Sequence, residues 1–503
     1  MTDLDRSLAS HGDTPLSYSD NQTLKRTIDR KTAMAIVVGI VIGSGIFYKH
    51  GAIASTGASF TMIISCWITA GIISLLGALC VCELALMMPT AGGYFHYVSA
   101  AFGRPFGFMA GWNSFVLVQT CGCAALSVAC VSKLSEVFGK EPSEITKAMM
   151  ACVVLAIVVW INCRSVKASG GLQLITTVIK AGFLVLLALS PLIFFSAEET
   201  GFETANYAST LSTTDTDGEI TKSTFSILAA VLVSVLWSYQ GWSEIAPSAE
   251  EIKDPQRNIT PSIVGGVAII TLIYVLVSIA FHGTLSMDEL EHYGEAVPNT
   301  VAERTLSGFG EGVSSSGNTL VSIIIVLSTF SALNSVILTS PRVAFAMARD
   351  GLFFKSIGKI HPVTKVPANA ICLLGGLSVV FILLSTLKLS SSDGSETSVF
   401  DILTNFSVFS AAMFFVLSVS SVVMLRISQP DRERPYRVPL FFIIPPLFIL
   451  FNLWFVVMVF IDDPINACVG IGLMILSLPV YTWLKSRNSR DSNPDEAVEE
   501  PAH

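Results

Sequence analysis

Charge is scarce in this chain. Asp, Glu, Lys and Arg make up 14% of its 503 residues, against roughly a quarter in soluble domains. With an apolar fraction of 52% and a mean hydropathy of +0.65, an ordinary water-soluble fold is excluded. Clusters that do chemistry are missing too. There is no HExxH, and the ten cysteines have no His at metal-ligand spacing. Most of them (Cys66, Cys80, Cys82, Cys121, Cys123, Cys130, Cys152, Cys372) lie inside apolar runs and are expected as buried free thiols. No metal or cofactor is expected, and no nucleic-acid-binding stripe is visible. The net charge of −8 comes from loops and tail, notably Glu198, Glu199, Asp215, Asp217, Asp495, Glu496, Glu499 and Glu500. Residues 1–24 are polar and no cleavable signal is expected there. Lacking charged clusters in its spans and a sizeable soluble domain, the chain is a poor fit to a membrane enzyme or a receptor, and a transporter is the favoured class.

What is present is a series of long apolar runs, at about 33–57, 61–88, 106–134, 148–163, 171–195, 224–250, 261–282, 317–346, 367–387, 398–425, 438–461 and 465–485. The expected fold class is an all-α polytopic membrane protein with about twelve transmembrane helices. Placing the N-terminus in the cytosol puts most Lys and Arg there, including Arg30, Lys31, Arg104, Arg164, Lys167, Arg257, Arg342, Arg349 and Arg426. Both termini are then cytoplasmic, with a disordered tail at 1–30 and an acidic one at 487–503.

Residues 33–57, AMAIVVGIVIGSGIFYKHGAIASTG, organise the rest. Gly43, Ser44 and Gly45 sit at the midpoint, where poor helix formers should open the helix. Lipid cannot satisfy the freed backbone, so the gap must line a cavity or be buried in protein. The second half-helix would offer N–H groups to a carboxylate, while the carbonyls of Val41 and Ile42 would suit an ammonium group. The spacing of Gly39, Gly43 and Gly51 also suits a helix-packing seam. The sixth run has a second interruption, at Ser238–Gly241, followed by Pro247. Two broken helices five spans apart are what an inverted repeat predicts, with substrate held between them. The repeats are expected at 31–195 and 223–427, with two additional helices at 438–486.

The stretches GIVIGSGIF (39–47), ELALMMPTAGGYFHYV (83–98), NCRSVKA (162–168), YQGW (239–242), AEEIKDPQRNI (249–259) and SPRVAFAMARDGLF (340–353) resemble the amino acid–polyamine–organocation superfamily. Within it the likeness is to the light chains of the L-type amino acid transporters. The resemblance implies a LeuT-type fold of five plus five helices and amino acid permeation or exchange. Carried onto this sequence, Gly43, Ser44 and Gly45 resemble the carboxylate loop. Val41, Trp237 and Gln240 resemble donors of backbone carbonyls to the amino group. Trp237 matches an aromatic gate, Val118, Thr120 and Gly122 match a side-chain pocket, and Lys180 matches a lysine standing where sodium-coupled relatives bind sodium. Two departures matter. Residues 133–147 contain no cysteine, so no covalently bound heavy chain is expected and the chain looks like a stand-alone prokaryotic-type permease. Gln240 stands where large-substrate members have a small residue.

Lys180 lies deep in the fifth run and needs polar partners there; carbonyls near Gly43 and the hydroxyls of Ser331 or Ser335 are the candidates. Glu83 is expected as an interfacial anchor. Glu250, Glu251 and Asp254, beside Lys253 and Arg257, are expected on a solvated helix end. These readings favour a sodium-independent exchanger of small to medium neutral L-amino acids. A cationic amino acid or polyamine permease, which should need a carboxylate facing the cavity, and a proton-coupled symporter stay open.

Overall fold

The computed structural model describes residues 24–140, 142–193, 203–212, 223–307, 311–384, 386, 399–462 and 464–490. Of the tails expected at 1–30 and 487–503, residues 1–23 and 491–503 lie outside them, as does the acidic stretch around Glu198 and Asp215; within the described residues, Leu24 and Ile28 are buried against the fold and 487–490 close the last helix. Among the described residues, nine helices are long and apolar enough to cross a membrane. Two shorter apolar helices, Thr224–Tyr239 and Ala368–Leu384, and a final pair, Pro464–Ile475 and Ser477–Arg490, complete a set of twelve spans. The chain is thus an all-α polytopic membrane protein of LeuT-type fold.

The helices start where local chemistry favours a start. Ser59, Ser143 and Ser223 each accept the backbone N–H three residues on, capping the second, fourth and sixth spans. Burial separates an inner set from an outer one. Of the most apolar stretch of each span, 83% is buried in the first and third and 72% in the second and eighth, but only 22% in the fourth and 33% in the eleventh. The outer spans show Ile157, Trp160, Leu450 and Val457, as lipid-facing helices must.

The first span is broken as expected. A helix runs Arg30–Val41, the chain bends through Ile42, Gly43 and Ser44, and a second helix runs Gly45–Ala54. The sixth span breaks later and more fully than its sequence suggested. Its helix continues through Ser238 to Tyr239, turns follow, and the chain resumes only as a 3₁₀ segment, Ala246–Glu251. Pro247 lies within that last segment and has no N–H for a regular helix. The third span, Arg104–Val137, contains a π-helical stretch, Asn113–Gln119, which no Gly or Pro announces. Thr120 closes it by donating to the Phe115 carbonyl at 2.9 Å.

The end of the fold that carries Leu24 and the Arg342 and Arg349 side chains is called the basic face below. Glu83, expected as an interfacial anchor, is buried there and accepts from Arg426 at 2.9 and 2.6 Å and from the Val438 N–H at 2.7 Å.

Candidate functional site

The two breaks meet. The Tyr274 hydroxyl, from the seventh span, lies 2.7 Å from the Val41 carbonyl and 3.0 Å from that of Ser238. A Cβ on Gly45 would come within 2.7 Å of the Ser238 Cα, so glycine is required there by the approach of the sixth span. Gly241 has φ +106°, and a Cβ there would come within 2.1 Å of Ile40. Both the backbone conformation and the space demand glycine.

Around this meeting point lies a small cavity. Val41, Gly43, Ser44 and Gly45 wall it from the first span, Val118 and Gly122 from the third, and Trp237 and Gln240 from the sixth. Eight of the expected binding residues are thereby gathered in one place. Ile42 and Ser238 are not on its wall: Ile42 lies in the first break and Ser238 in the last turn of the sixth helix, and their carbonyls are held by protein groups. Thr120 is buried and spends its hydroxyl within the third span. Sequence reasoning missed Gln119, which joins Val118 on the wall; the π-helical stretch turns both inward.

The helix beginning at Gly45 brings its first N–H groups, which no intrahelical carbonyl can satisfy, to the cavity edge. Ser44 precedes it without capping it, and its buried hydroxyl has no hydrogen-bond partner. Such an end suits a carboxylate. Gln240 donates to the Ser407 hydroxyl at 3.2 Å, tying the sixth break to the tenth span. It also stands between the cavity and a second, apolar one, lined by Trp242, Phe415, Phe448 and Phe455 among others.

Lys180 is buried and reaches the first break. Its ammonium donates to the carbonyls of Gly39 at 2.7 Å and Ile42 at 2.5 Å, with the Ser328 carbonyl at 3.4 Å. The Ser328 hydroxyl bonds the Ile42 and Gly43 carbonyls at 3.0 and 3.2 Å. The expected partners Ser331 and Ser335 are therefore corrected to Ser328, two turns away from Ser335 on the same helix. Ser331 instead meets Gln173 at 3.0 Å and Thr176 at 2.9 Å, in a polar network that continues through Asn334 to Asn162.

Toward the basic face the site is shut. Glu251 and Arg342, both buried, form a two-pronged ion pair at 2.6 and 3.2 Å. Glu251 also accepts the N–H groups of Thr27 and Ile28 through its carbonyl. Glu250 holds Arg349 at 3.1 Å and the Leu24 and Ala91 N–H groups at 2.7 and 3.0 Å. A solvated helix end was expected here; Lys253, Asp254 and Arg257 are exposed, but Glu251 is buried and Glu250 half-buried. The reason is the N-terminal segment, which folds across the 3₁₀ turn and covers the two glutamates. A further acidic residue, Glu244, is buried in the sixth break. It reads in sequence as the start of the run containing Glu250 and Glu251, and nothing in its spacing separates it from them.

Comparison with known proteins bears on this arrangement. The sequence pattern of the family described as Amino acid permease matches residues 28–484. The serine/threonine exchanger SteT of Bacillus subtilis (strain 168) is 28% identical over 474 residues, covering 94% of this chain and 100% of its own. The b(0,+)-type amino acid transporter 1 of Mus musculus is 25% identical, over 92% of this chain and 88% of its own. The large neutral amino acids transporter small subunit 2 of Mus musculus is 27% identical, over 91% and 81%. With the family pattern running from the N-terminal strap to the last helix, and the two broken spans enclosing a cavity, the chain belongs to the amino acid permease family of the amino acid–polyamine–organocation superfamily.

Proposed function

We propose that the chain is a sodium-independent exchanger of small to medium neutral L-amino acids, working by alternating access in the cell membrane. The observation that carries this reading is the cavity between the breaks. The free N–H groups behind Ser44 suit the substrate carboxylate, and the carbonyl of Gln240 suits its amino group, those of Val41 and Trp237 being shared with the Tyr274 hydroxyl and the Gln240 N–H. Trp237 acts as the gate over the substrate, while Val118, Gly122 and Gln240 bound its side chain. Lys180 supplies a fixed positive charge against the first break, the role a sodium ion would otherwise take. The names of the relatives, a serine/threonine exchanger and a large neutral amino acids transporter subunit, support exchange of neutral substrates. The basic face is then cytoplasmic, residues 31–195 and 223–427 form the two repeats, and the protein acts without a covalently bound heavy chain.

Purified protein in proteoliposomes tests this. Radiolabelled L-serine, L-threonine or L-leucine should enter faster when unlabelled amino acid is inside, with or without sodium. A strict sodium requirement, or uptake indifferent to internal amino acid, contradicts the reading.

A further inference from the structure

Glu244 is 4% exposed and stands in the turn between the sixth helix and its 3₁₀ continuation. Its carboxyl oxygen Oε2 has no hydrogen-bond partner. Beside it is the side chain of Gln119, which lines the substrate cavity. Toward the basic face stand Ser243 and Tyr94, the latter on the helix Tyr94–Phe102. The buried hydroxyls of Ser243, Tyr94, Tyr97 and Ser248 also lack partners. Buried polar groups in proteins are nearly always bonded to protein or water, so the orphaned atoms around Glu244 mark places for ordered water between Gln119 on the cavity wall and the Tyr94–Phe102 helix.

The charged groups of the surrounding elements do not neutralise Glu244. Arg342 of the eighth span is bound by Glu251, and Lys180 of the fifth by carbonyls of the first. On the Tyr94–Phe102 helix, His96 faces Asp350 at 3.7 Å. The third span offers the uncharged Gln119 and Asn113, and the tenth offers Phe414, packed against Tyr94. A carboxylate at membrane depth without a cation is costly, and a group placed there marks an ion or proton path.

We propose that Glu244 is a proton-carrying group of the transport cycle: it takes a proton from the outer side through the cavity and Gln119, and releases it to the basic face along the Ser243–Tyr94 path when the sixth span moves. One proton binds one carboxylate and leaves it again, so nothing else is consumed. The proposal rests on the transporter reading above and adds to it a proton-linked uptake mode. Loaded carriers exchange amino acids with Glu244 protonated in both directions. Net uptake returns the empty carrier with Glu244 ionised, which a proton gradient drives.

The test uses proteoliposomes holding a pH-sensitive dye and the faster of radiolabelled L-serine and L-leucine. An inward gradient of about one pH unit should raise net uptake by the wild type roughly fivefold, and substrate should acidify the lumen. Glu244→Gln should lose both responses while still showing counterflow. As a readout that needs no variant, dicyclohexylcarbodiimide, which modifies protonated carboxyls in apolar surroundings, should label Glu244 in peptide maps and abolish the gradient response in proportion. Wild-type counterflow without proton movement overturns the inference and leaves the exchanger reading standing. Proton movement that survives Glu244→Gln, or labelling that spares Glu244 while abolishing the response, also overturns it. Absence of amino acid flux of any kind instead overturns the exchanger reading.

Discussion

The first and sixth spans both break beside the cavity, yet their open backbones are secured differently. In the first, the carbonyls of Ala35, Gly39, Val41, Ile42 and Gly43 are held from outside by Thr177, Lys180, Tyr274 and Ser328. The chain then re-enters a regular helix at Gly45. In the sixth, Ser243 and Glu244 in the turn after Tyr239 and Ser248 in the 3₁₀ segment have buried side-chain atoms that no protein group satisfies, against the Ser44 hydroxyl in the first, and the 3₁₀ segment stands in place of a regular helix. Each unmade buried hydrogen bond costs about 1–3 kcal/mol, so the sixth break is the less stable of the two in this arrangement. A clamped break gives a fixed floor for a ligand, and a loosely satisfied one is the part that can rearrange at low cost.

Removing the clamp should have the largest effect. Lys180→Ala would leave the buried carbonyl of Gly39 without its donor, about 1–3 kcal/mol, while the Ile42 carbonyl keeps the Ser328 hydroxyl. Turnover should fall by about a hundredfold, while substrate binding to the same purified protein changes much less, because the lysine acts on the moving step. Full flux in Lys180→Ala would show that the first break needs no cation.

Tyr274→Phe cuts the one hydroxyl shared by both breaks. At about 1–2 kcal/mol for a lost buried hydrogen bond, substrate affinity should drop by about tenfold, measured by equilibrium binding. An unchanged affinity would mean that the two breaks hold their relative position without it.

The smallest effect is expected at Gln240, on the sixth break alone. Gln240→Gly removes the tie to Ser407 and joins the cavity to its apolar neighbour. The substrate ranking should shift toward larger side chains, by roughly 1–3 kcal/mol for each methylene newly accommodated. Uptake of a size series from L-alanine to L-phenylalanine reads this directly; an unaltered ranking means that Gln240 does not bound the pocket.

Much of the fold was legible because the bilayer narrows the choices. Glycine flanking a serine in the middle of an apolar run can only be an opening or a seam, and Gly43–Gly45 opened while Gly39 and Gly51 packed against Gln173 and Gly294. A lysine inside a span must find polar partners, which made Lys180 visible and its target predictable. The partner on the eighth span was misplaced because helical spacing identifies a face and not a turn: Ser328, Ser331 and Ser335 share one. The buried Glu251–Arg342 pair was hidden because the strap of residues 24–28 that covers it contacts it only across the fold. Glu244 was hidden by its acidic neighbours. The π-helical stretch at Asn113–Gln119 leaves no sequence mark at all, since its cause is the packing of Asn113 on Ser410 and of Thr120 on Phe115.

The central claim is that the two breaks together recognise both charged ends of an amino acid. Competition for binding to the purified protein measures it most directly, using a transported L-amino acid, its amide and the corresponding decarboxylated amine. The account predicts that the amide and the amine each compete at least a hundredfold more weakly than the parent, since each leaves one helix end without its charge. Equal competition by the amine lacking a carboxylate would contradict it.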